Sequence, residues 1–245
     1  MNAPHPDWIV PDWPAPAGVK ALITTRAGGV SAGPFASFNL GMRAGDDPDA
    51  VAANRARLGA LLPQPPRWLR QVHGSVVVEA DALSGEPEAD AAIARRPGTV
   101  CAVLVADCIP VLLADRAGTT VGIAHAGWRG LARGVIENTV RAMTGAGRDL
   151  IAYLGPGIGP AAFEVGDDVR EAFLARDPGA AAAFKSHAAG KWLADLYLLA
   201  RQSLQRSGVA EVQGGTLCTY SDAQRFFSYR RERTTGRMAA VIWRN

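Results

Sequence analysis

Two histidines and one cysteine occur in similar settings along the chain and together have the side chains of a metal site. His73 and His125 each end an extended apolar stretch and are followed closely by a glycine, and Cys108 follows the apolar run 100–105 in the same way. Because ligand groups in α/β sheets gather where strands end, we expect the three side chains to lie close together. Two imidazoles and one thiolate are the protein ligands of a catalytic zinc site, which leaves a fourth tetrahedral position to water or substrate.

The spacing of these residues leaves a second interpretation open. The long gaps resemble no compact zinc finger, so each histidine can equally be a hydrogen-bonded residue of the core or of a turn, with Cys108 merely buried. The remaining histidines and cysteines fit a site less well. His5 lies in a proline-rich segment and His187 in a polar segment predicted to be surface, whereas Cys101 and Cys218 are predicted to be core residues.

Short apolar runs predict the elements that position these residues. The runs at 100–105, 111–114 and 120–124 do not alternate with polar residues, which is typical of strands buried on both faces. The third run leads through His125 into a predicted helix with a polar arginine and glutamate face, at Arg133, Glu137 and Arg141. This sequence of elements is a strand–turn–helix unit.

Other predicted elements complete a layered fold. Asp47 is expected to cap a helix that begins at Pro48. Further strands are predicted at 75–79, 151–154 and 238–243, and further helices near 168–175 and 193–206. The alternation of strands and helices predicts an α/β (α+β) fold in which a mixed β-sheet is layered with helices.

The composition predicts a folded, soluble protein and constrains its partners very little. The 26 Lys+Arg residues exceed the 23 Asp+Glu residues by a net charge of +3, which is a weak field for 245 residues, so we expect no nucleic acid partner. With 48% hydrophobic residues the chain can bury a large core, and intrinsic disorder is excluded.

Cysteine content and hydropathy predict a cytoplasmic protein without a membrane partner. Three cysteines without tight spacing form no disulfide framework, which indicates a reducing compartment. The proline-rich segment 1–19 has no apolar run and does not fit a secretory signal. The longest apolar run, 100–106, is far shorter than the roughly 18 residues of a membrane helix. Residues 20–245 contain no linker or repeat and are predicted to form a single domain.

Several motifs, taken together and in order, resemble one family. They lie at 24–31, 37–41, 71–74, 106–110, 125–130 and 155–160, and at 218–222 with 236–238. The chain thereby resembles the laccase-domain (YfiH-like) family, whose members are known as polyphenol oxidases and as purine nucleoside phosphorylases. The resemblance extends from about residue 20 to the C-terminus. It implies a single domain of mixed sheets and helices with one metal ion, usually zinc, held by His73, Cys108 and His125.

The chain departs from the family pattern at two places. Ala161 and Ala162 stand where relatives often have cysteines, which removes extra thiol ligands. Arg43 and Ala44 stand where many relatives have a histidine, so a further imidazole near the site is not expected.

The resemblance implies phosphorolysis of adenosine, inosine and methylthioadenosine, and deamination of adenosine. We therefore predict a zinc-dependent purine nucleoside phosphorylase whose partners are a purine nucleoside and phosphate. Arg26, Arg70 and Arg129 are expected to contact the substrate, because each lies in a family motif or adjoins a ligand. Asn39 is expected to bind the ribose hydroxyls. Asp107 is expected to fix an imidazole tautomer or to accept a proton.

Three other functions remain open at this point. A cysteine hydrolase would use Cys108 as nucleophile and His73 or His125 as base, which suits the peptidoglycan-editing role also attached to the family. A copper-dependent polyphenol oxidase (laccase) needs many imidazoles, and four histidines are too few, although a His₂Cys site can bind copper. A zinc-stabilised binding module is disfavoured, because structural zinc sites usually have four protein ligands.

Two further motifs imitate nucleotide or nucleic-acid binding. The glycine-rich segment 155–160 contains two prolines, which remove amide donors, and lacks the surroundings of a dinucleotide-binding fold. The segment 225–237 holds five arginines with interleaved aromatic residues, a composition that can bind nucleic acid. We favour a strand with buried aromatic side chains and an arginine face directed to solvent or phosphate.

Overall fold

The computed structural model describes residues 3–144 and 147–245, and they form a mixed α/β fold, as predicted. The strands are β1 (Val19–Ile23), β2 (Val77–Glu79), β3 (Ala91–Ala94), β4 (Cys101–Val105), β5 (Ile109–Asp115), β6 (Val121–Ala126), β7 (Leu150–Leu154), β8 (Glu164–Gly166), β9 (Phe184–Ala188), β10 (Lys191–Ala194), β11 (Glu211–Gly214) and β12 (Met238–Arg244). The helices are α1 (Pro48–Gly59), α2 (Trp128–Ala132), α3 (Val135–Thr144), α4 (Asp167–Leu174), α5 (Leu196–Arg206) and α6 (Tyr229–Glu232).

A six-stranded mixed sheet in the order β11-β7-β5-β6-β3-β2 forms the centre of the fold. Strand β5 pairs antiparallel with β6 and β7, whereas the outer pairs β11–β7 and β2–β3 are parallel. Every residue of β5 and β6 is buried, which agrees with the unbroken apolar runs in the sequence. Because alternate side chains of a strand point to opposite faces, these two strands supply the core on both sides of the sheet.

Different elements cover the two faces of the central sheet. On one face, Val111 and Leu113 of β5 pack with residues of α2 and α3, such as Ile136. On the opposite face, Leu112 of β5 packs with Val103 of β4, so the antiparallel sheet β1-β12-β4 lies against the central one. A third small sheet has the order β8-β10-β9. The layers hold β4, β5 and β6 rigidly, and two metal-ligand candidates lie at the ends of these strands.

Two predicted elements differ in the structure. The helix predicted after His125 is divided into α2 and α3, because Gly134 between them has a φ of 86°. Glycine adopts this left-handed conformation without a steric penalty, and it ends helices for that reason. The strand predicted within 225–237 is wrong. Phe226 and Phe227 are fully buried, but the backbone forms turns and the short helix α6.

Several local predictions are confirmed. The side chain of Asp47 accepts a hydrogen bond from the backbone N–H of Asp49 at 2.9 Å and so caps α1. Cys101 is fully buried in the core. Cys218 is not a core residue, however: it is partly buried, and its sulfur accepts the N–H of Gly159 at 3.2 Å. Across the described ranges, the helices are all too short or too polar to span a membrane.

The segment before β1 is attached to the fold. Ile9 exchanges two backbone hydrogen bonds with Ile23 of β1, at 2.8 and 2.9 Å. The neighbouring Trp8 is buried and lies 4.7 Å from Phe38 between ring centroids. The domain boundary predicted at residue 19 stays a prediction.

Candidate metal centre and substrate cavity

The structure brings His73, Cys108 and His125 together at one end of the central sheet. Cys108 immediately precedes β5, and His125 lies near the end of β6. Because these strands are antiparallel neighbours with Pro110 opposite His125, the start of one lies beside the end of the other. His73 reaches the same point from the loop before β2. The ligand atoms of the three residues all lie within 4.8 Å of one another, and Cys108 Sγ is 3.8 Å from His73 Nε2.

A buried carboxylate that the sequence analysis missed orients both histidines. Asp90 Oδ1 accepts a hydrogen bond from Nδ1–H of His125 at 2.8 Å and from the backbone N–H of His73 at 3.0 Å. Its Oδ2 accepts the backbone N–H groups of Val72 at 3.1 Å and Gly74 at 2.6 Å. Because Nδ1–H of His125 donates to Asp90, Nε2 is the nitrogen that is left to bind a metal, which would displace the Nε2 proton. The same carboxylate holds the His73 loop, where His73 itself has a left-handed φ of 56°.

Gly127 makes room for the three ligand atoms. A Cβ atom at this position would lie 2.6 Å from Cys108 Sγ and 3.0 Å from Cδ2 of His73, which is closer than van der Waals contact allows. The close approach therefore requires glycine at the turn between β6 and α2.

The electrostatics of the cluster favour the thiolate of Cys108. Burial opposes ionisation, but the charge of the His125 imidazolium and hydrogen bonds from both histidines together lower the pKa of Cys108 to about 6. Burial disfavours the imidazolium and so lowers the pKa of His125, but the Cys108 thiolate and the Asp90 carboxylate raise this pKa to about 9. Burial disfavours the Asp90 carboxylate and raises its pKa, but hydrogen bonds from His125 and from backbone amides outweigh burial, so the pKa of Asp90 is lowered. Metal ions bind the thiolate, so the cluster holds Cys108 in its ligand form.

The ligand cluster opens into a cavity of about 750 Å³ whose lining contains apolar side chains and six arginines. This volume is typical of sites for small molecules. The apolar and aromatic lining residues include Leu69, Leu104, Trp128, Ile158 and Phe163. The arginines of the lining are Arg43, Arg55, Arg129, Arg230, Arg233 and Arg237. Two carboxylates, Glu86 and Asp107, also belong to the described lining.

Four of these arginines have no carboxylate partner within residues 3–144 and 147–245. Arg43 and Arg55 both pair with Glu86, each at 3.3 Å. The four without such a salt bridge are Arg129, Arg230, Arg233 and Arg237. Arg237 is partly buried, and this burial lowers the pKa of its guanidinium. Uncompensated cations in a partly desolvated cavity favour an anionic ligand.

Three residues predicted to contact the substrate are not part of the cavity. Arg26 donates to the carbonyl of Ala36 at 2.9 Å and pairs with Glu232 at 3.3 Å, so it joins loops of the fold. Asn39 is fully buried, and its amide is occupied by hydrogen bonds within the protein. Arg70 points to Glu88, with which it forms a salt bridge. Arg129 does line the cavity, where its guanidinium lies 4.4 Å from the ring centre of its neighbour Trp128.

Asp107 lines the cavity but does not fix an imidazole tautomer. Its Oδ1 accepts the hydroxyl of Thr219 at 2.6 Å, and its Oδ2 accepts the backbone N–H of Arg230 at 2.7 Å. Asp107 therefore ties the C-terminal arginine segment to the cavity, and the imidazole partner is Asp90. A role of Asp107 as proton acceptor stays a prediction.

Some of the cavity arginines that were not predicted to contact the substrate have a partial signal in the sequence. Arg230, Arg233 and Arg237 all come from the segment 225–237, whose density of arginines is visible in the sequence. Arg43 and Arg55 belong to the region around α1 and have no comparable signal. Asp90 is the last of three acidic residues before an alanine-rich strand, after Glu86 and Glu88, and only the tertiary structure distinguishes its role.

The sequence matches a known family over nearly its whole length. Residues 20–245 match the family model described as multi-copper polyphenol oxidoreductase laccase. The chain belongs to this family. A relative from Escherichia coli (strain K12), named purine nucleoside phosphorylase YfiH, is 55% identical over 241 residues, which are 96% of this chain and 98% of that protein. The relative named purine nucleoside phosphorylase PA4543, from Pseudomonas aeruginosa, is 53% identical and covers 99% of both chains.

Solved structures of this laccase family share the fold. The crystal structure of Neisseria meningitidis protein NMB0706 has a TM-score of 0.95 at 53% identity and covers 98% of this chain and 99% of that one. The structure of YlmD from Geobacillus stearothermophilus has a TM-score of 0.84 at 32% identity, with 94% and 93% covered. The mixed α/β architecture is therefore that of the family.

Proposed function

We propose that this member of the laccase family is a zinc-dependent purine nucleoside phosphorylase that acts on adenosine, inosine and methylthioadenosine. One observation carries the proposal: the three ligand side chains line the same cavity as four arginines that have no carboxylate partner in the described part of the chain. The names of the relatives at 53–55% identity support the reaction class.

The donor set of the cluster fits zinc. Two imidazoles and a thiolate are ligands that zinc prefers, and their spacing within 4.8 Å suits a single ion with one position left for substrate or water. His73, Cys108 and His125 would hold the ion, which when bound supplies Lewis-acid polarisation of an oxygen. Divalent copper binds nitrogen and sulfur ligands more tightly than zinc does, so the metal must be identified in protein that is purified without added copper.

Phosphorolysis needs an anion and a purine side by side, and the cavity lining contains both arginines and apolar side chains. A phosphate oxygen forms a bond to C1′ of the ribose while the C1′–N9 bond breaks, and the bonding electron pair leaves with the purine, which takes up a proton. Arg129 and Arg237 would hold the phosphate by charge-assisted hydrogen bonds. Leu104, Ile158 and Phe163 would contact the purine ring. Adenosine deamination in the same cavity is a further part of the proposal.

A cysteine hydrolase is the second candidate, because the site also contains a Cys–His–Asp arrangement. Cys108 has a lowered pKa, and Asp90 orients His125 at 2.8 Å. These are the features of an activated thiol nucleophile and its base. A thiolate that is bound to zinc is a weaker nucleophile than a free one, so the two functions make opposite predictions about metal removal.

The test compares the protein before chelation, after chelation and after zinc is added back. We expect about one zinc per chain, inosine phosphorolysis that disappears on chelation, and recovery with zinc. Formation of inosine from adenosine without phosphate measures the deaminase in the same samples. Phosphorolysis that persists in zinc-free protein and is lost on alkylation of Cys108 would overturn the zinc mechanism and favour Cys108 as a nucleophile, the role that it has in the second candidate. Elemental analysis that finds copper in place of zinc would correct the metal.

A further inference from the structure

Residues with a left-handed backbone are concentrated at the cavity. Among the described non-glycine residues, positive φ angles occur at His73 (56°), Asp107 (89°) and Arg233 (60°), and all three line the cavity. The first two have visible reasons, because His73 is a ligand candidate and Asp107 joins the arginine segment to the site. Arg233 has no such reason within the protein. Strained residues that persist in a fold commonly serve function.

Arg233 is the central residue of a γ-turn in its rare, strained form. Its φ is 60° and its ψ is −63°, and the backbone N–H of Thr234 donates to the carbonyl of Glu232 at 2.6 Å. A side chain with a Cβ atom destabilises this conformation, whereas glycine adopts it readily. Stability alone would therefore favour glycine at position 233.

The surrounding residues hold the turn from both sides. The backbone N–H of Arg233 donates to the carbonyl of Tyr229 at 2.9 Å, which ends α6. The carboxylate of Glu232 accepts the hydroxyl of Thr235 at 2.6 Å and pairs with Arg26 at 3.3 Å and Arg231 at 3.1 Å. These contacts involve the neighbours of Arg233 and not its own side chain. They attach the residues on both sides of the strained turn to the rest of the fold.

The Arg233 guanidinium is free to bind a ligand. The residue is exposed and lines the cavity, and its side chain forms no hydrogen bond or salt bridge with residues 3–144 or 147–245. Arg230 lies one helical turn before it and also lines the cavity. A strained backbone that presents an unpaired guanidinium next to a second arginine is suited to a phosphoryl group, which accepts two parallel N–H bonds.

We propose that Arg233 is a phosphate-binding residue of the cavity and that the strained γ-turn is maintained to present it. The proposal rests on the proposed function in that the cavity takes phosphate. The phosphoryl group has two sources, inorganic phosphate as co-substrate or the 5′-phosphate of a nucleotide that enters the same cavity.

The test is the substitution Arg233→Gly in the zinc-loaded protein, with Arg225→Gly as matched control. Arg225 belongs to the same segment, has no positive φ and lies outside the cavity, so its substitution removes the same charge elsewhere. We expect Arg233→Gly to weaken binding of inorganic phosphate, measured by calorimetric titration, by roughly 10- to 100-fold, the loss typical of a hydrogen bond to a charged group. Its thermal unfolding midpoint should equal or exceed that of the wild type by about 2–4 °C, because strain is relieved. Arg225→Gly should leave phosphate binding unchanged.

Two further measurements identify the source of the phosphoryl group and separate this proposal from the reaction. A higher KM for phosphate in inosine phosphorolysis, with the KM for inosine unchanged, assigns Arg233 to inorganic phosphate. Weaker inhibition by inosine 5′-monophosphate alone assigns it to a nucleotide. Unchanged binding of both probes, or a clearly lower unfolding midpoint of Arg233→Gly, overturns the proposal. If the wild type binds phosphate but shows no phosphorolysis, the proposed function fails and the titration still tests Arg233.

Discussion

The substitution Asp90→Asn tests how much the buried carboxylate contributes to metal binding. Each carboxylate oxygen of Asp90 accepts two N–H groups, Oδ1 from His73 and His125 and Oδ2 from Val72 and Gly74. An asparagine has one oxygen, so its NH₂ group must face two donors in either orientation. The two orientations have different consequences, and both are measurable.

If the asparagine oxygen faces His125, the loop loses two acceptors. An unsatisfied buried donor destabilises a protein by about 1–3 kcal/mol. Val72 and Gly74 are not fully buried, so we expect a loss of about 2 kcal/mol in the free energy of unfolding. If the NH₂ group faces His125, the imidazole must accept at Nδ1 and carry its proton on Nε2, which blocks the metal-binding atom. Loss of such an orienting partner typically weakens metal binding by about 10- to 100-fold.

The assays are zinc affinity by competition with a chromogenic chelator and chemical unfolding of the zinc-free and zinc-loaded protein. Asp115→Asn is the matched control, because Asp115 is also buried and accepts the backbone N–H groups of Thr119 and Thr120, but lies outside the cavity. It should leave the zinc affinity unchanged. An Asp90→Asn protein that keeps its zinc affinity within about twofold of the wild type and also loses no free energy of unfolding would refute the reasoning, since each orientation of the asparagine predicts one of these losses.

Three further predictions concern the same cavity. Zinc must displace the proton of His125, whose pKa is raised to about 9, so the zinc association constant should rise about tenfold per pH unit between pH 6 and 9. Below the Cys108 pKa of about 6 the constant should rise more steeply with pH, because the thiol proton must also be displaced. A pH-independent association constant would contradict this prediction. Arg129→Lys keeps the charge but loses the planar fork, so phosphorolysis should fall by about tenfold, whereas Arg141→Lys, outside the cavity, should be neutral. Gly127→Ala places a Cβ atom 2.6 Å from Cys108 Sγ, so zinc content should fall; a fully loaded Gly127→Ala protein would show that the turn adapts.

The ligand cluster was predictable because the positions of its residues relative to the strands can be recognised from short stretches of sequence. Cys108 and His125 stand at the ends of apolar runs, and buried strands end at a shared edge of the sheet. Motif membership alone did not predict which residues line the cavity. Arg26 and Asn39 lie in family-like motifs but outside the cavity, where they form hydrogen bonds between loops, and a sequence pattern does not separate that role from ligand binding.

The missing parts of the site depend on long-range contacts or on backbone geometry. Asp90 meets His125 only because β3 pairs with β6, which places a single acidic residue beside the cluster. The left-handed conformation of Arg233 has no sequence signal, because a positive φ is predicted from glycine and position 233 is an arginine. The division of the helix at Gly134 did have a signal, but the surrounding helical periodicity outweighed it in the prediction.

Because β12 is the last strand of the chain, the ligand residues and the arginine segment 225–237 are synthesised at different times. β12 follows all the other strands in the chain, yet it is the middle strand of its sheet, between β1 and β4. The ligand residues and their strands precede residue 127, so the ribosome releases them long before the arginine segment that leads into β12. Pairing between β1 and β12 is a contact of long sequence separation, which is typical of late and slow folding steps. During synthesis, the three ligand residues can therefore come together before the arginines of segment 225–237 complete the cavity.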